Sequence, residues 1–445
     1  MKIKKIIRLI FIVLILIGIV FGIKISIDKS NPVKAKEKLL STVFKDIQGL
    51  EVDLNKVYTY GKAINISGVV ENISKDNFEN AKLIIRDGNE YEKSYNLNYL
   101  LDKESKLLVF ATDNNMNKGI VIDDLPNGTY YFVLRLKTNN SIDPKYYSFG
   151  YEEELGEFAN IEYYTVTKDG VNKKVVISFD KMNYNGKEMS NLKMDISDAE
   201  LPEDVYDIVI DAGHGGKDSG EKSGNITEAG ITLNYAEKLK TKLEEEGYKV
   251  FLTRNRDNSN EFTYTNMYSE NGRITVANES KAKLMISLHV NNNQNAAYRG
   301  VEVYSPPKSD YTFASALARN IVVKSNLEFS NNNSFKNADG VYVYNYNKNM
   351  INNSRLSAEK KGYEPYALNL DTPYLYTIRE VGGIATNAYV DGRNKDYDVN
   401  KYYKSCQGIE CYQLELGYIK NDLQIIQDDV DKVVDAIVET IKTNY

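Results

Sequence analysis

From residue 205 to the C-terminus, short runs of branched apolar residues alternate with stretches whose apolar residues recur every three or four positions. That alternation restricts the fold more than any other feature of the chain. Tyr206–Ile210, Val250–Thr253, Leu284–Leu288, Val301–Tyr304 and Tyr412–Leu416 read as buried strands. Leu233, Ala236, Leu239 and Leu243 mark an amphipathic helix ended by Gly247. Val430, Val433, Val434, Ile437 and Ile441 mark a closing helix. The pattern predicts an α/β domain over 205–445, with a mostly parallel sheet and helices on both faces. In such sheets, functional groups gather at the carboxyl ends of strands.

Upstream the period is two. Ile64, Ile66 and Val70 alternate with small or polar residues, and Lys82–Ile85 and Leu107–Phe110 are short apolar runs. Thr129–Leu136 follows the turn residues Pro126-Asn127-Gly128. Ile161–Val166 and Val175–Phe179 flank Lys168-Asp169-Gly170, which predicts a hairpin. About seven short strands indicate an all-β, immunoglobulin-like sandwich over 51–182. It carries no catalytic constellation and reads as a spacer or binding module. Residues 29–50 read as a stalk. Residues 183–204, polar and containing Pro202, read as a linker.

The N-terminus begins with three lysines in the first five residues, then Arg8, then an uncharged run from Leu9 to Ile23. Counted from Ile6, the span approaches the roughly 20 residues needed to cross a bilayer. No small-residue cleavage site follows, so residues 1–28 read as an uncleaved signal anchor rather than a cleaved signal peptide. Basic residues ahead of the apolar run place the remainder outside the cytoplasm, tethered to the cell membrane by a single pass. A formal charge of −6 gives no electrostatic case for nucleic acid as a partner. The two cysteines, Cys406 and Cys411, could pair across a tight loop or stay free.

The chain has only two histidines. His214 lies just past the first strand, in I208-V-I-D-A-G-H-G-G216, and His289 ends another, in L284-M-I-S-L-H-V-N291. Both therefore occupy strand ends that can face one crevice. Catalytic zinc usually takes three protein ligands and keeps one position open, so two histidines call for a carboxylate. Glu228, just ahead of the helix, is the leading candidate; Asp211 and Asp218 are alternatives by proximity. A base must then act on water. Glu415 lies inside the apolar strand Tyr412–Leu416, where a carboxylate is costly to bury.

The segment 208–220 (I-V-I-D-A-G-H-G-G-K-D-S-G) resembles the opening motif of the zinc-dependent N-acetylmuramoyl-L-alanine amidases of the amidase-3 family. Four further blocks agree in order. T227-E-A-G-I-T-L-N-Y-A236 is similar to the block with the acidic ligand, and Y248-K-V-F-L-T-R254 with R273-I-T-V-A-N278 to the arginine-bearing block. I286-S-L-H-V-N291 is similar to the second histidine motif, and L414-E-L-G-Y-I-K-N421 to the closing glutamate block. The resemblance spans about 205–445. It implies that His214, Glu228 and His289 bind Zn2+ and that Glu415 is the catalytic base. The implied reaction removes the stem peptide of peptidoglycan from its lactyl group. Read from the residues alone, Arg254 and Arg273 are candidates to pair with an acid at the sheet edge in a partly structural role, and Asn291 and Asn421 either orient the site loops by hydrogen bonding or serve as turn residues. Residues 345–403 are longer than this family has there. Within them Tyr374–Ile378 and Ala385–Val390 suggest a hairpin, and the excursion is a candidate wall selecting the peptide.

Two other functions compete. One is a zinc peptidase cutting within the wall peptide, which the E-L-G-Y block argues against. The other is an inactive wall-binding scaffold, against which all four catalytic positions hold competent residue types. The sandwich is also a candidate surface for an activator or for a division or sporulation protein.

Overall fold

The computed structural model describes residue 43 and residues 46–445, except 72, 74–77, 88–90, 102–105, 113–118, 123–124, 140–142, 151–159, 168–169, 185, 257–271, 294–296, 308, 363–364, 366–367 and 383–406. The expected signal anchor, most of the stalk, Cys406 and the second arm of the expected hairpin at 385–390 lie outside the described residues. Among the described residues no helix is long and apolar enough to cross a membrane.

The N-terminal half is β-rich, and among the described residues twelve of its strands join with Gln407–Gly408 in one hydrogen-bonded sheet. The strand Gly128–Thr138 is its branch point. One edge pairs along its length with Phe78–Arg86. The other edge is divided: Gly128–Tyr131 pairs with Ile196–Lys193, and Val133–Leu136 with Ser148–Lys145. The two layers expected of a sandwich are thus joined through a shared strand into a half-barrel. Its core holds Ile64, Ile66, Leu83, Phe110, Phe132, Leu134, Val175 and Leu192. The hairpin around Lys168–Gly170 is present, with Ile161 opposite Ile177.

The expected linker is mostly not one. Lys187–Asp198 is a strand paired antiparallel to Asn172–Tyr184. Within it Met189, Leu192, Met194 and Ile196 are buried. Leu192, Met194 and Ile196 keep a period of two behind the intervening polar residues, Met189 buries on the opposite face, and together they complete the N-terminal cores.

The C-terminal half is built on seven strands: Ile208–Ala212 (β1), Val250–Leu252 (β2), Leu284–Asn291 (β3), Glu302–Tyr304 (β4), Lys336–Ala338 (β5), Val341–Tyr342 (β6) and Glu410–Tyr418 (β7). Their spatial order is β2-β1-β3-β7-β4-β6-β5. The pairings β2–β1, β1–β3, β3–β7 and β4–β6 are parallel, while β7–β4 and β6–β5 are antiparallel. The sheet is therefore mixed and mostly parallel, as the alternation requires.

Helices cover both faces. Glu228–Glu245 (α1), Thr312–Lys324 (α3) and Val430–Asn444 (α7) pack on the face of Ile208, Ile210, Leu284, Ile286, Leu288, Leu414 and Leu416. Arg273–Glu279 (α2) and Tyr376–Val381 (α5) pack on the other, against Val209, Met285 and Cys411. Lys348–Lys360 (α4) has no buried residue, and Leu423–Asp428 (α6) follows β7. Of the expected strand at Tyr374–Ile378, residues 376–378 instead open α5. Its Ile378 and Val381 bury on one side, a spacing of three that suits a helix.

Candidate metal centre and its surroundings

Alternation along the strands decides which residues reach the site. On β1, β3 and β7 the second face begins with Val209, Met285 and Cys411. Steps of two then bring Asp211, Ser287, His289, Gln413 and Glu415 onto the same face towards the strand ends. Register sets His289 directly beside Glu415, and Glu415 directly beside Glu302 on β4.

His214 arrives from the turn after β1. Its backbone is left-handed, with φ of 62°, an uncommon state for a residue with a side chain. Arg273 holds that turn by donating to the His214 carbonyl at 2.8 Å. Two glycines leave room for the rings. A Cβ on Gly213 would stand 2.6 Å from the His289 ring. A Cβ on Gly220, whose φ is +59°, would stand 2.5 Å from Glu228 Oε2 and 2.7 Å from the His214 ring. Glu228 is the first residue of α1, whose cap is Thr227, accepting at its hydroxyl from Gly230 N–H. A carboxylate there is favoured by the helix dipole.

The three residues meet. Glu228 Oε1 lies 3.1 Å from His214 Nε2 and 3.1 Å from His289 Nδ1. One donor atom from each falls within 4.8 Å of the others. Ligand atoms around a tetrahedral ion at zinc's usual bond lengths lie roughly 3.3 Å apart, so the donor set fits such an ion. Asp218 accepts at 2.9 Å from His214 Nδ1, which leaves Nε2 pointing inward. Glu228 also accepts from Val290 N–H at 2.8 Å and Glu221 N–H at 2.9 Å.

The charges are tuned by these contacts. Burial pulls the His214 pKa down, but the bonds to Glu228 and Asp218 outweigh it and raise it to about 9. Burial pushes Glu228 up, yet its two histidines hold it well below the usual carboxylate range. Burial pushes Glu415 up to about 7, with His289 pulling down and Glu228 pushing up. A carboxyl poised near neutrality can both take and give a proton.

The other expected residues divide. Asp211 is not beside the histidines' donor atoms. It is fully buried behind them, accepting from Thr253 and Ser287 hydroxyls at 2.6 Å each and paired with Arg273 at 3.2 Å. Arg254 is buried and donates to the carbonyls of Ala212, Gly213 and Ala229, tying the His214 turn to α1. Asn291 donates to Glu302 at 3.1 Å, and Asn421 to the Tyr298 carbonyl. Cys411 is free and buried.

Glu302 was not anticipated. It is fully buried and accepts from Asn291, Tyr304, Ser330, Asn332 and Tyr418. Its signal was the same as that of Glu415, an acid inside an apolar run (V301-E-V-Y304). Gln413, a polar residue within the strand of Glu415, carries the same signal.

The profile of the amidase-3 family, described as N-acetylmuramoyl-L-alanine amidase, matches residues 208–443, more than half of the chain. N-acetylmuramoyl-L-alanine amidase LytC of Bacillus subtilis is 28% identical over 141 residues, 32% of this chain and 27% of that protein. The germination-specific N-acetylmuramoyl-L-alanine amidase of the same organism is 32% identical over 103 residues, 22% of this chain and 44% of that protein. The chain thus spans less than half the length of these curated relatives. Among solved structures, the catalytic domain of CwlV from Bacillus (Paenibacillus) polymyxa var. colistinus is 21% identical with a TM-score of 0.35, covering 54% of this chain and 97% of that one. By the profile that spans its whole C-terminal half, the chain belongs to the amidase-3 family of N-acetylmuramoyl-L-alanine amidases.

Proposed function

We propose that the chain is a zinc-dependent peptidoglycan hydrolase. It cleaves the amide bond between the lactyl group of N-acetylmuramic acid and the L-alanine of the stem peptide. The observation that carries this reading is the convergence of His214, Glu228 and His289, with Glu415 beside His289 on the next strand. His214 Nε2, Glu228 and His289 Nδ1 would hold the ion. Bound zinc supplies a Lewis acid for the scissile carbonyl and lowers the pKa of water toward about 7. Glu415 takes the proton of the attacking water and returns it to the alanine nitrogen as that leaves. Arg273 and Arg254 keep the His214 turn in place, and Asp218 fixes the His214 ring.

In this reading the N-terminal helix tethers the enzyme to the membrane and the remainder works outside the cytoplasm, where peptidoglycan is. The N-terminal half is a joined-sheet variant of the immunoglobulin sandwich. Supporting this, the Tyr130 hydroxyl donates at 2.6 Å to the carbonyl of Pro126, four residues upstream, as in the tyrosine corner of such domains. That half would be the recruiting surface for an activator or a division or sporulation protein.

The test is digestion of purified peptidoglycan by the full-length chain, with products read by mass spectrometry. Free stem peptides beginning with alanine are expected, lost on chelation and in Glu415→Ala. Cuts inside the peptide would instead support the zinc peptidase. No products from folded, zinc-loaded protein would count against a hydrolase.

A further inference from the structure

Beyond the three converging donors, one polar chain connects the 345–403 excursion to the catalytic strand. Thr377 on α5 donates from its hydroxyl to Gln413 Oε1 at 3.3 Å. Gln413 in turn donates from Nε2 to Glu415 Oε1 at 2.9 Å. Thr377 is fully buried, and Gln413 and Glu415 are 8% and 7% exposed, so water competes little for these bonds.

We propose that Gln413 is a positioning residue for Glu415, and that Thr377 locks the Gln413 amide in the orientation this requires. The proposal rests on Glu415 being the base. Residues two apart on a strand share a face, so Gln413 stands beside Glu415 whatever the local twist. An amide has one accepting and one donating end. The ionised Glu415 carboxylate only accepts, so the NH2 end must face it, and the Thr377 hydroxyl then satisfies the amide oxygen by donating. A flipped amide would set oxygen against oxygen. The bond holds Oε1 of Glu415 and so sets the direction of its second oxygen relative to His289, its neighbour in register.

The helix that carries Thr377 is itself fixed. Ile409 N–H donates to the Val381 carbonyl at 2.8 Å, joining the end of α5 to the start of β7. Ile378 and Val381 pack with Cys411 in the second-face core. Arg379 donates to the carbonyls of Pro373 and Tyr374 at 3.1 and 2.8 Å, bracing the turn before α5. The excursion thus supplies a buttress beneath the base.

The experiment compares the full-length chain with Gln413→Met, Thr377→Val, the double variant and Glu415→Ala, in steady-state cleavage of a muramoyl-peptide with zinc content measured. Gln413→Met keeps the side chain's length and volume but removes both bonds. It is expected to lower kcat by about 10- to 100-fold, the scale of a misplaced catalytic group. KM should stay within about twofold and zinc content should not change. Thr377→Val should lower kcat in the same direction, and should add nothing on top of Gln413→Met, because it acts through that residue. A Gln413→Met chain with parental kcat, or a Thr377→Val effect that persists in the double variant, overturns the proposal. If Gln413→Met fails to fold, Thr377→Val decides by the same split of kcat from KM. An active parent silenced by Glu415→Ala but indifferent to Gln413→Met refutes this inference alone. An inactive parent refutes the hydrolase reading and this inference with it.

Discussion

Replacing Arg273 by methionine should unfold the catalytic half at a much lower temperature, through a charge stranded behind the candidate metal centre. Arg273 and Asp211 are both buried and lie 3.2 Å apart. Burial alone would push Asp211 up, but Arg273 with the Ser287 and Thr253 hydroxyls holds it below the usual carboxylate range. Burial alone would pull Arg273 down, but Asp211 outweighs it and raises it. The two partners thus agree in sign. Breaking a buried pair by removing one partner costs about 3–5 kcal/mol. Asp211 keeps two hydroxyl donors, which places the loss near the lower bound. For a domain of this size each kcal/mol moves Tm by roughly 2–4 °C, so a fall of about 6–12 °C is expected by calorimetry. Arg273→Met with Asp211→Asn should recover part of it, since no charge is then left unpaired. A fall of less than about 2 °C, or a double variant no more stable than the single, would show that the pair does not carry this part of the core.

Zinc binding should release a proton from His214. Its raised pKa of about 9 in the metal-free chain means a stabilising contribution that is complete below pH 6.5 and fades as pH rises through 9. Zinc needs the neutral ring, so affinity should climb between those values, and titration calorimetry in two buffers of different ionisation enthalpy should differ by close to one proton at pH 7. Identical heats would contradict this. Asp218→Asn removes the charge on His214 Nδ1 and should weaken zinc about 10- to 100-fold in competition with a chromogenic chelator; unchanged affinity would leave Asp218 without an orienting role.

The catalytic half was legible because its signals are local. A buried parallel strand needs a continuous apolar run, and a polar residue that interrupts one is conspicuous; that is why His214, His289 and Glu415 stood out. Asp211 was weighed as a ligand because sequence distance says nothing about direction. On β1 it is one step of two beyond Val209, and that step places it beneath the turn rather than in the crevice. The strand Lys187–Asp198 was missed for a related reason. Its alternating set is only Leu192, Met194 and Ile196, and Met189 and Asn191 bury on the opposite face, so the alternation is weak to the eye. Helix α5 reads as strand because Tyr376, Thr377 and Ile378 favour strand by type, while its six residues are held by tertiary contacts with β7.

The junction between the two halves could not be read from either half alone. Gln407–Gly408 adds in parallel to Thr59–Tyr60 of the N-terminal sheet, and Gly61 N–H donates to the Gly408 carbonyl at 2.9 Å. Lys62 reaches the carbonyls of Val166 and Tyr445, one from each half. Beneath this seam the Lys283 ammonium lies 4.7 Å over the Tyr163 ring, and burial pulls its pKa down to about 7. Burial likewise pushes Glu410 up to about 7. A lysine is rarely buried as fully as Lys283, and here a tyrosine of the N-terminal half lies over its ammonium. Both stand at the root of strands that run to the candidate site, Lys283 just before β3, which carries His289, and Glu410 at the start of β7, which carries Glu415. Stripping away residues 1–204 would return both to water and leave the edge at Gln407–Gly408 unpaired. The N-terminal sheet therefore holds the segment that leads directly into the strand of Gln413 and Glu415, a contact that the motifs of the catalytic half do not mention.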